Sequence, residues 1–467
     1  MIKRVALALA IVALLSGLAA GQTAEQQVAW CKNPSAPRPD QIIDGCTAVI
    51  QANPQAWAYT ARGNAYFHTA QLDRAIADFN RAIRLDPKSG EAYYGRGTAY
   101  AYKFEHDRAI ADYDEALRLD PNLVGAYKER GTEHGIARNY LRAIMDYGEA
   151  IRLDARDPSL RQARGDAYFK ANDYEHAIAD YDAALELGPT SWILHSRRGD
   201  AYMGKKDYGR AVADYAEMIR LDDRPSYFEY EKRGDAYMGS GNFAAAIADY
   251  QKAAWPDPEN PQDAHSDALE RLGRTYLAKR DYRRAGHEFT EAIRIEAAAG
   301  MLASASEGET SHHLVANLHI DRGIALLYGG DCRAAVADFE RASDFTAHKD
   351  AAAALWSEIA NRRCNFPSRF AEATSQIGAS ARLGPVIRLY LGQSPVAGVM
   401  AVAEKADAAE RQQAICDASF FSGEWSLQQG AKKEAAGLFQ LAKSNCLVGS
   451  AEWAAAFAEL GSLGDNR

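Results

Sequence analysis

A glycine recurs at a fixed interval through most of the chain, and its neighbours recur with it. Five of these glycines stand 34 residues apart, and the interval then lengthens: Gly63, Gly97, Gly131, Gly165, Gly199, Gly234, Gly273 and Gly323. An alanine follows each glycine by twelve residues, and an aromatic residue follows that alanine by four. A unit of 34 residues is too long for a single strand or turn and too short for a domain. The spacing therefore predicts pairs of helices stacked in tandem.

The recurring glycine needs a physical reason, because glycine inside a helix costs about 0.8–1 kcal/mol relative to alanine. Close approach of two helix backbones supplies one. We expect the glycine of each first helix to face the alanine of the second, as Gly63 would face Ala75. Prolines such as Pro87 and Pro121 mark the ends of several second helices, since proline cannot continue a helix.

These residues resemble the tetratricopeptide repeat (TPR) family. The segment 92–121 matches the family pattern almost column for column, and the likeness extends in phase over residues 55–345. The resemblance implies an all-α fold, a right-handed superhelical solenoid of antiparallel helix pairs. We count about eight regular repeats and one degenerate C-terminal repeat around Gly423 and Phe439. The resemblance also implies a concave groove, lined by first helices, that holds a segment of a partner protein.

The rest of the chain is divided by composition and by loss of the repeat phase. We expect a signal peptide at 1–21, an N-terminal cap at 22–54, eight repeats at 55–345, a capping helix at 346–366, an irregular helical linker at 367–410, and a degenerate ninth repeat with a closing helix at 411–467. A cap is required because an uncovered terminal repeat would expose its apolar face. A longer connection, 297–311, is expected between repeats seven and eight.

Residues 1–21 carry the pattern of a secretory signal peptide. Basic residues at the start precede an apolar run from Val5 to Leu15, and small residues follow. This run is too short for a membrane span. Leu18 stands where the lipidated cysteine of a bacterial lipoprotein signal would be. The sequence therefore predicts a periplasmic or secreted protein without a stable membrane anchor.

Six cysteines in an exported chain predict disulfide bonds. Fifteen pairings are possible. The expected helix ends reduce this number, because the start of the first helix in an antiparallel pair lies beside the end of the second helix. We predict the bonds Cys31–Cys46, Cys332–Cys364 and Cys416–Cys446. Metal binding is the alternative, and it is disfavoured because the sequence has neither a Cys-x-x-Cys motif nor a Cys/His cluster.

An arginine stands directly before the recurring glycine in seven repeats, and the same repeats carry an aspartate directly before the second-helix aromatic. Repeat seven replaces both, with Leu272 and Glu288. This paired change predicts a ladder of structural Arg–Asp ion pairs between the two helices. The alternative is two independent, solvated columns.

Catalytic chemistry finds little support in the sequence. There is no glycine-rich phosphate loop, nucleophile elbow or dinucleotide fingerprint. His287-Glu288 lacks the second histidine of a zinc-protease helix, and the three Arg-Gly-Asp tripeptides fall within first helices. With a formal net charge of −9 and no basic stripe, nucleic acid is also disfavoured. We predict no catalytic residues, no metal and no cofactor.

The predicted binding site is the groove. Its acids, Asp166, Asp200 and Asp235, alternate with aromatic residues and methionine, which favours a basic or amide-rich partner segment. The alternative is that these are ordinary solvated positions. The predicted groove residues are Trp57, Asn64, Phe67, Tyr94, Thr98, Tyr102, Lys128, Thr132, Asp166, Phe169, Asp200, Met203, Phe228, Asp235, Met238 and Arg274.

The C-terminal stretch from Leu389 to Leu460 is similar to the end of the NlpI-type TPR adaptor lipoproteins of the bacterial envelope. That resemblance implies an adaptor or scaffold for envelope enzymes or assemblies. A structural assembly element that forms a homodimer through its C-terminal region is the alternative. An enzyme hidden in 367–415 is less favoured, because that segment holds no histidine and no free cysteine.

Overall fold

The computed structural model describes residues 24–32, 38–188, 191–255, 265–300, 308–345, 350–375, 377 and 382–464, and all regular secondary structure within them is helical. The predicted signal peptide lies outside the described residues. The chain forms two compact units, residues 1–190 and 191–467. The predicted boundaries of cap, array, linker and ninth repeat stay predictions.

The first unit holds ten described helices: α1 Ala24–Lys32, α2 Pro39–Ala52, α3 Ala56–His68, α4 Leu72–Leu85, α5 Gly90–Tyr102, α6 His106–Leu119, α7 Val124–Ile136, α8 Tyr140–Leu153, α9 Pro158–Lys170 and α10 Tyr174–Leu187. Helices α3 to α10 are the four pairs of repeats one to four. Helices α1 and α2 precede them, and Ile42 and Ile50 of α2 pack in one apolar cluster with Ala58 and Ala65 of α3.

The second unit holds fifteen: α11 Trp192–Gly204, α12 Tyr208–Leu221, α13 Tyr227–Gly239, α14 Phe243–Ala254, α15 Ser266–Ala278, α16 Tyr282–Gly300, α17 Gly308–Tyr328, α18 Cys332–Phe345, α19 Ala351–Arg363, α20 Phe370–Ala373, α21 Gly384–Tyr390, α22 Val396–Glu404, α23 Arg411–Gln428, α24 Lys432–Asn445 and α25 Ala451–Ser462. Repeats five to eight are α11 to α18. The pair α23 and α24 corresponds to the predicted ninth repeat. Because α16 extends to Gly300 and α17 begins at Gly308, the predicted connection 297–311 is shorter than expected.

Each turn between the two helices of a repeat uses the left-handed backbone conformation. In the first unit φ is 57° at Ala70, 60° at Phe104, 57° at Arg138 and 61° at Asn172. This residue stands just beyond the end of the first helix, where a left-handed residue closes the helix. The repeat spacing of these residues shows that the turn recurs with the helices.

The packing glycines face the aromatic residue of the second helix, so the expectation that they face the alanine was wrong. A Cβ built on Gly63 would lie 2.8 Å from the ring of Phe79, and one on Gly273 would lie 2.6 Å from Phe289. The same contact occurs between Gly423 and Phe439 in the ninth repeat. A ring needs more room than a methyl group, and only glycine leaves that room within the first helix.

The predicted Arg–Asp ladder is confirmed in all seven repeats that carry the pair. In repeat one, Arg62 Nε donates to Asp78 Oδ2 at 2.7 Å and Arg62 Nη2 donates to Asp78 Oδ1 at 2.9 Å. The corresponding bonds of the other repeats measure 2.5–3.0 Å. Every ladder aspartate is buried. The ladder is therefore an interior bidentate contact and not two solvated columns.

The structure also has the three predicted disulfides. Cys31–Cys46 joins α1 to α2. Cys332 begins α18 and pairs with Cys364, directly after α19. Cys416–Cys446 joins α23 to the residue that ends α24. A bond that closes a loop of this size contributes roughly 3–4 kcal/mol in the chain-entropy model.

Candidate partner-binding face

The predicted groove residues of the first unit lie on the first helices of repeats one to four, and we call this set the first-helix face. Trp57, Asn64 and Tyr102 are exposed, with Tyr102 at 65 %. The other members are half-buried: Phe67, Tyr94, Thr98, Lys128, Thr132, Asp166 and Phe169. A half-exposed mixture of aromatic and polar side chains is suited to binding a polypeptide segment.

Aromatic rings and hydroxyl groups line this face. The rings of Phe67 and Tyr102, from adjacent repeats, meet edge to face at 4.9 Å between centroids. Buried tyrosines of the second helices also reach it with their hydroxyl groups. Tyr113 Oη donates to Thr98 Oγ1 at 3.4 Å, and the hydroxyls of Tyr147 and Thr132 are 3.1 Å apart. Sequence reasoning missed this contribution because it assigned the second-helix aromatics to packing alone.

The predicted acids of the second unit are already neutralised within the chain. Asp200 accepts a hydrogen bond from Tyr215 at 2.7 Å and two from Lys232 Nζ at 2.7 and 2.8 Å. Asp235 accepts one from Tyr250 at 2.7 Å and two from Arg271 at 2.6 and 2.7 Å. These carboxylates therefore offer a partner little uncompensated charge.

Asp166, the predicted acid of the first unit, also accepts a hydrogen bond from a second-helix tyrosine. Tyr181 Oη donates to Asp166 Oδ1 at 2.8 Å. The tyrosine–aspartate contact thus recurs in three consecutive repeats. A tyrosine at the second-helix aromatic position, together with an aspartate directly after the packing glycine, was the sequence signal that could have predicted it.

The C-terminal helix α25 covers part of the predicted groove in the second unit. It packs on the first helix of repeat seven, α15, as well as on α23 and α24. Arg274 Nη1 donates to the carbonyl oxygen of Gly449 at 3.3 Å, just before α25. The rings of Phe243 and Phe457 lie 5.2 Å apart. We expected the closing helix to cover the ninth repeat, and it also reaches back to repeat seven.

Helix α25 is a core element of the second unit, since it is buried on nearly all sides. Trp453 is 3 % exposed, and Ala454, Ala455 and Leu460 are equally buried. A helix that is apolar all round belongs in the interior. Burying one large apolar side chain contributes about 1.5–3 kcal/mol, so a partner segment that displaced the helix would have to offset the loss of several such contacts. The groove at repeat seven is therefore closed by the chain itself.

Two buried ionic clusters hold this closed arrangement. Arg274 Nη2 lies 2.8 Å from Asp321 and 2.5 Å from Glu270. Arg363 Nη2 lies 2.6 Å from Glu424 of α23 and 2.5 Å from Glu459 of α25. Each cluster has more carboxylates than bases.

Burial raises the pKa of one carboxyl group in each cluster. It raises the pKa of Asp321 to about 7 against the opposing effect of Arg274. It raises the pKa of Glu424 to about 7 against the opposing effect of Arg363. Asp321 and Glu424 therefore lie in the interior of the second unit and not on its surface.

Three family models match the chain. A TPR repeat model matches residues 63–103 and 165–206, and two tetratricopeptide repeat models match residues 90–123 and 196–264. The chain contains tetratricopeptide repeats. These repeats act as scaffolds for protein–protein interaction, and TPR proteins are generally not enzymes. No curated protein matches the chain, so the likeness to NlpI-type adaptors stays a prediction.

Solved TPR structures resemble parts of the chain at low identity. YrrB, a TPR protein with an unusual peptide-binding site, is 23 % identical over 38 % of this chain and 93 % of its own, with a TM-score of 0.36. A tetratricopeptide repeat protein from Parabacteroides merdae is 20 % identical over 50 % and 93 %, with 0.38. MamA from Desulfovibrio magneticus RS-1 is 21 % identical over 36 % and 94 %, with 0.34. None of these similarities bears on what this TPR chain binds.

The described part of the chain contains no group of three or more His, Cys, Asp or Glu side chains placed to hold a metal ion. None of its helices is long and apolar enough to cross a membrane.

Proposed function

We propose that this TPR protein is an exported scaffold or adaptor that captures a segment of a partner protein on the first-helix face of its first unit. Envelope enzymes or assemblies are the proposed clients. The observation that carries the proposal is the contrast between the units. Repeat seven of the second unit is covered by α25, whereas Trp57 and Tyr102 of the first unit are exposed.

Export is supported by the three disulfides, because such bonds persist in oxidising compartments. The signal-peptide pattern of residues 1–21 agrees with this. We therefore propose the periplasm or the cell exterior as its location.

Site-specific crosslinking in the producing cell tests the binding face. A photoreactive phenylalanine replaces Tyr102 on the first-helix face or Leu141, an exposed apolar residue (74 %) on the second helix α8. We expect a discrete crosslinked product from position 102 and none from position 141. Equal products from both positions, or no product from position 102, would overturn the proposal.

A further inference from the structure

Glu129 is a half-buried carboxylate on the first helix of repeat three, α7, without a hydrogen bond or ion pair in the described part of the chain. The nearest base in sequence, Lys128, also forms no ion pair there. Burial raises the pKa of Glu129, Lys128 opposes this rise, and Glu133 adds to it. Glu133 itself is engaged, since its Oε2 lies 2.6 Å from His106 Nδ1. An unpaired, half-buried charge is unfavourable, and a cation would relieve it.

A tyrosine of the preceding repeat lies against the helix that carries Glu129. Tyr94 abuts α7 one turn before Glu129, because a Cβ on Gly125 would lie 2.8 Å from the Tyr94 hydroxyl. The rings of Tyr94 and Tyr113 have centroids 6.0 Å apart. Burial, followed by the charge of Glu129, raises the pKa of Tyr94. A carboxylate beside aromatic faces is a favourable environment for an organic cation.

Tyr147, on the second helix of repeat three, also senses the charge of Glu129. Its pKa is raised by burial, is lowered by the hydrogen bond with Thr132, and is raised again by Glu129. Thr132 lies on α7 three residues after Glu129, so both occupy one side of that helix. The charge of Glu129 therefore acts on a tyrosine of the preceding repeat and on one of its own repeat.

The chain fills the corresponding position in the second unit with its own cation. Lys232 precedes the packing glycine Gly234 by two residues, as Glu129 precedes Gly131. Its Nζ lies 2.7 Å from Asp200 Oδ2, 5.8 Å from the ring centroid of Tyr215 and 5.1 Å from that of Phe228. Carboxylate, aromatic rings and cation thus form one cluster there.

Repeat three inverts this arrangement. The position of the cation holds the carboxylate of Glu129, and the position of Asp200 in the preceding repeat holds Thr98. Tyr113 stands at the position of Tyr215, whereas Gly125 stands at the position of Phe228 and has the Tyr94 hydroxyl beside it. No cation of the described chain forms an ion pair with Glu129. We infer that the Glu129 site binds the side chain of a lysine or arginine from the captured partner segment. The inference rests on the proposed function and names the partner chemistry at this one site.

Titration of the full chain with short peptides tests the inference. The probe is the blocked pentapeptide Ala-Ala-Lys-Ala-Ala, and its control carries norleucine, which is uncharged, in place of lysine. NMR spectra of protein with 13C-labelled tyrosine report on Tyr94, Tyr113 and Tyr147. We expect the chemical shifts of these tyrosines to change and saturate with the lysine peptide alone. The Kd should be about millimolar, as for a single small contact. Equal shifts with the norleucine peptide would overturn the inference.

Two substitutions make the test specific. Glu129→Gln keeps the size of the side chain, and we expect it to weaken lysine-peptide binding at least about tenfold, or by about 1.4 kcal/mol. Glu115→Gln is the matched control, because Glu115 pairs with Arg118 at 2.6 Å on the exposed side of α6. Unchanged binding by Glu129→Gln, or the same loss in both variants, would contradict the assigned site.

The two proposals fail separately. If Glu129→Gln leaves the crosslink from position 102 and its client unchanged, and the lysine peptide does not bind, the cation site is wrong and the binding face stands. If the lysine peptide binds at Glu129 but position 102 yields no crosslink, the site stands and partner capture on this face is wrong.

Discussion

At the residue scale, a pair of glycines in repeat seven shows opposite consequences of adding one methyl group. A Cβ on Gly273 would lie 2.6 Å from the buried ring of Phe289. A Cβ on Gly286, in the second helix of the same repeat, would meet nothing within 4 Å. Both backbones are helical, so the difference between the sites is the space available.

We therefore predict opposite signs for two alanine substitutions. Gly273→Ala should lower the free energy of unfolding by about 1–3 kcal/mol through overpacking. Gly286→Ala should raise it by up to about 1 kcal/mol, because alanine favours the helix. Denaturant unfolding monitored by circular dichroism measures both. Stabilisation by Gly273→Ala would show that the glycine is not needed for the aromatic contact.

At the element scale, the closing helix α25 decides which part of the predicted groove stays open. Ending the chain after Cys446 removes α25 and keeps the Cys416–Cys446 bond. We expect faster amide hydrogen exchange in α15, because Arg274 and its apolar neighbours lose their cover. Exchange mass spectrometry measures this change.

The control for that truncation is a substitution in the same region. Leu447 is 71 % exposed, so Leu447→Ala in the full-length chain should leave exchange in α15 unchanged. If the truncated chain also exchanges in α15 at the rate of the full-length protein, α25 is a detachable tail and not a core element.

At the scale of the whole molecule, buried carboxylates set how stability depends on pH. Asp321, Asp417 and Glu424 of the second unit all have pKa values raised by burial to about 7. Because these folded-state values exceed the unfolded ones, the groups favour the folded state at low pH, and this contribution is lost as pH rises toward 7. Burial acts to raise the pKa of Asp338, but hydrogen bonds from Arg322 and His319 lower it overall. The stability that Asp338 contributes is therefore lost only at more acidic pH.

We predict that the melting temperature of the second unit rises by several degrees between about pH 8 and about pH 5. Scanning calorimetry across that range measures it. Glu424→Gln should reduce the dependence, since glutamine does not titrate. A melting temperature that is constant or falls on acidification would show that these acids do not control stability.

The sequence by itself determined the helix pairs, the Arg–Asp ladder and the disulfides. These features depend on local spacing: an arginine and an aspartate sixteen residues apart, as in Arg62 and Asp78, meet wherever the hairpin forms. The same reasoning predicted a close contact at Gly63. It named an alanine as the facing residue, whereas the structure has an aromatic ring there.

Only the tertiary structure decided which predicted binding residues remain available. The pairing of Asp200 with Lys232 joins residues from neighbouring repeats, and the cover over Arg274 comes from Gly449, far away in the sequence. The unpaired Glu129 could likewise be recognised only after its neighbours were placed. Contacts inside a repeat follow from the spacing of its residues. Contacts between distant segments depend on how the whole chain packs, and the repeat spacing does not determine that packing.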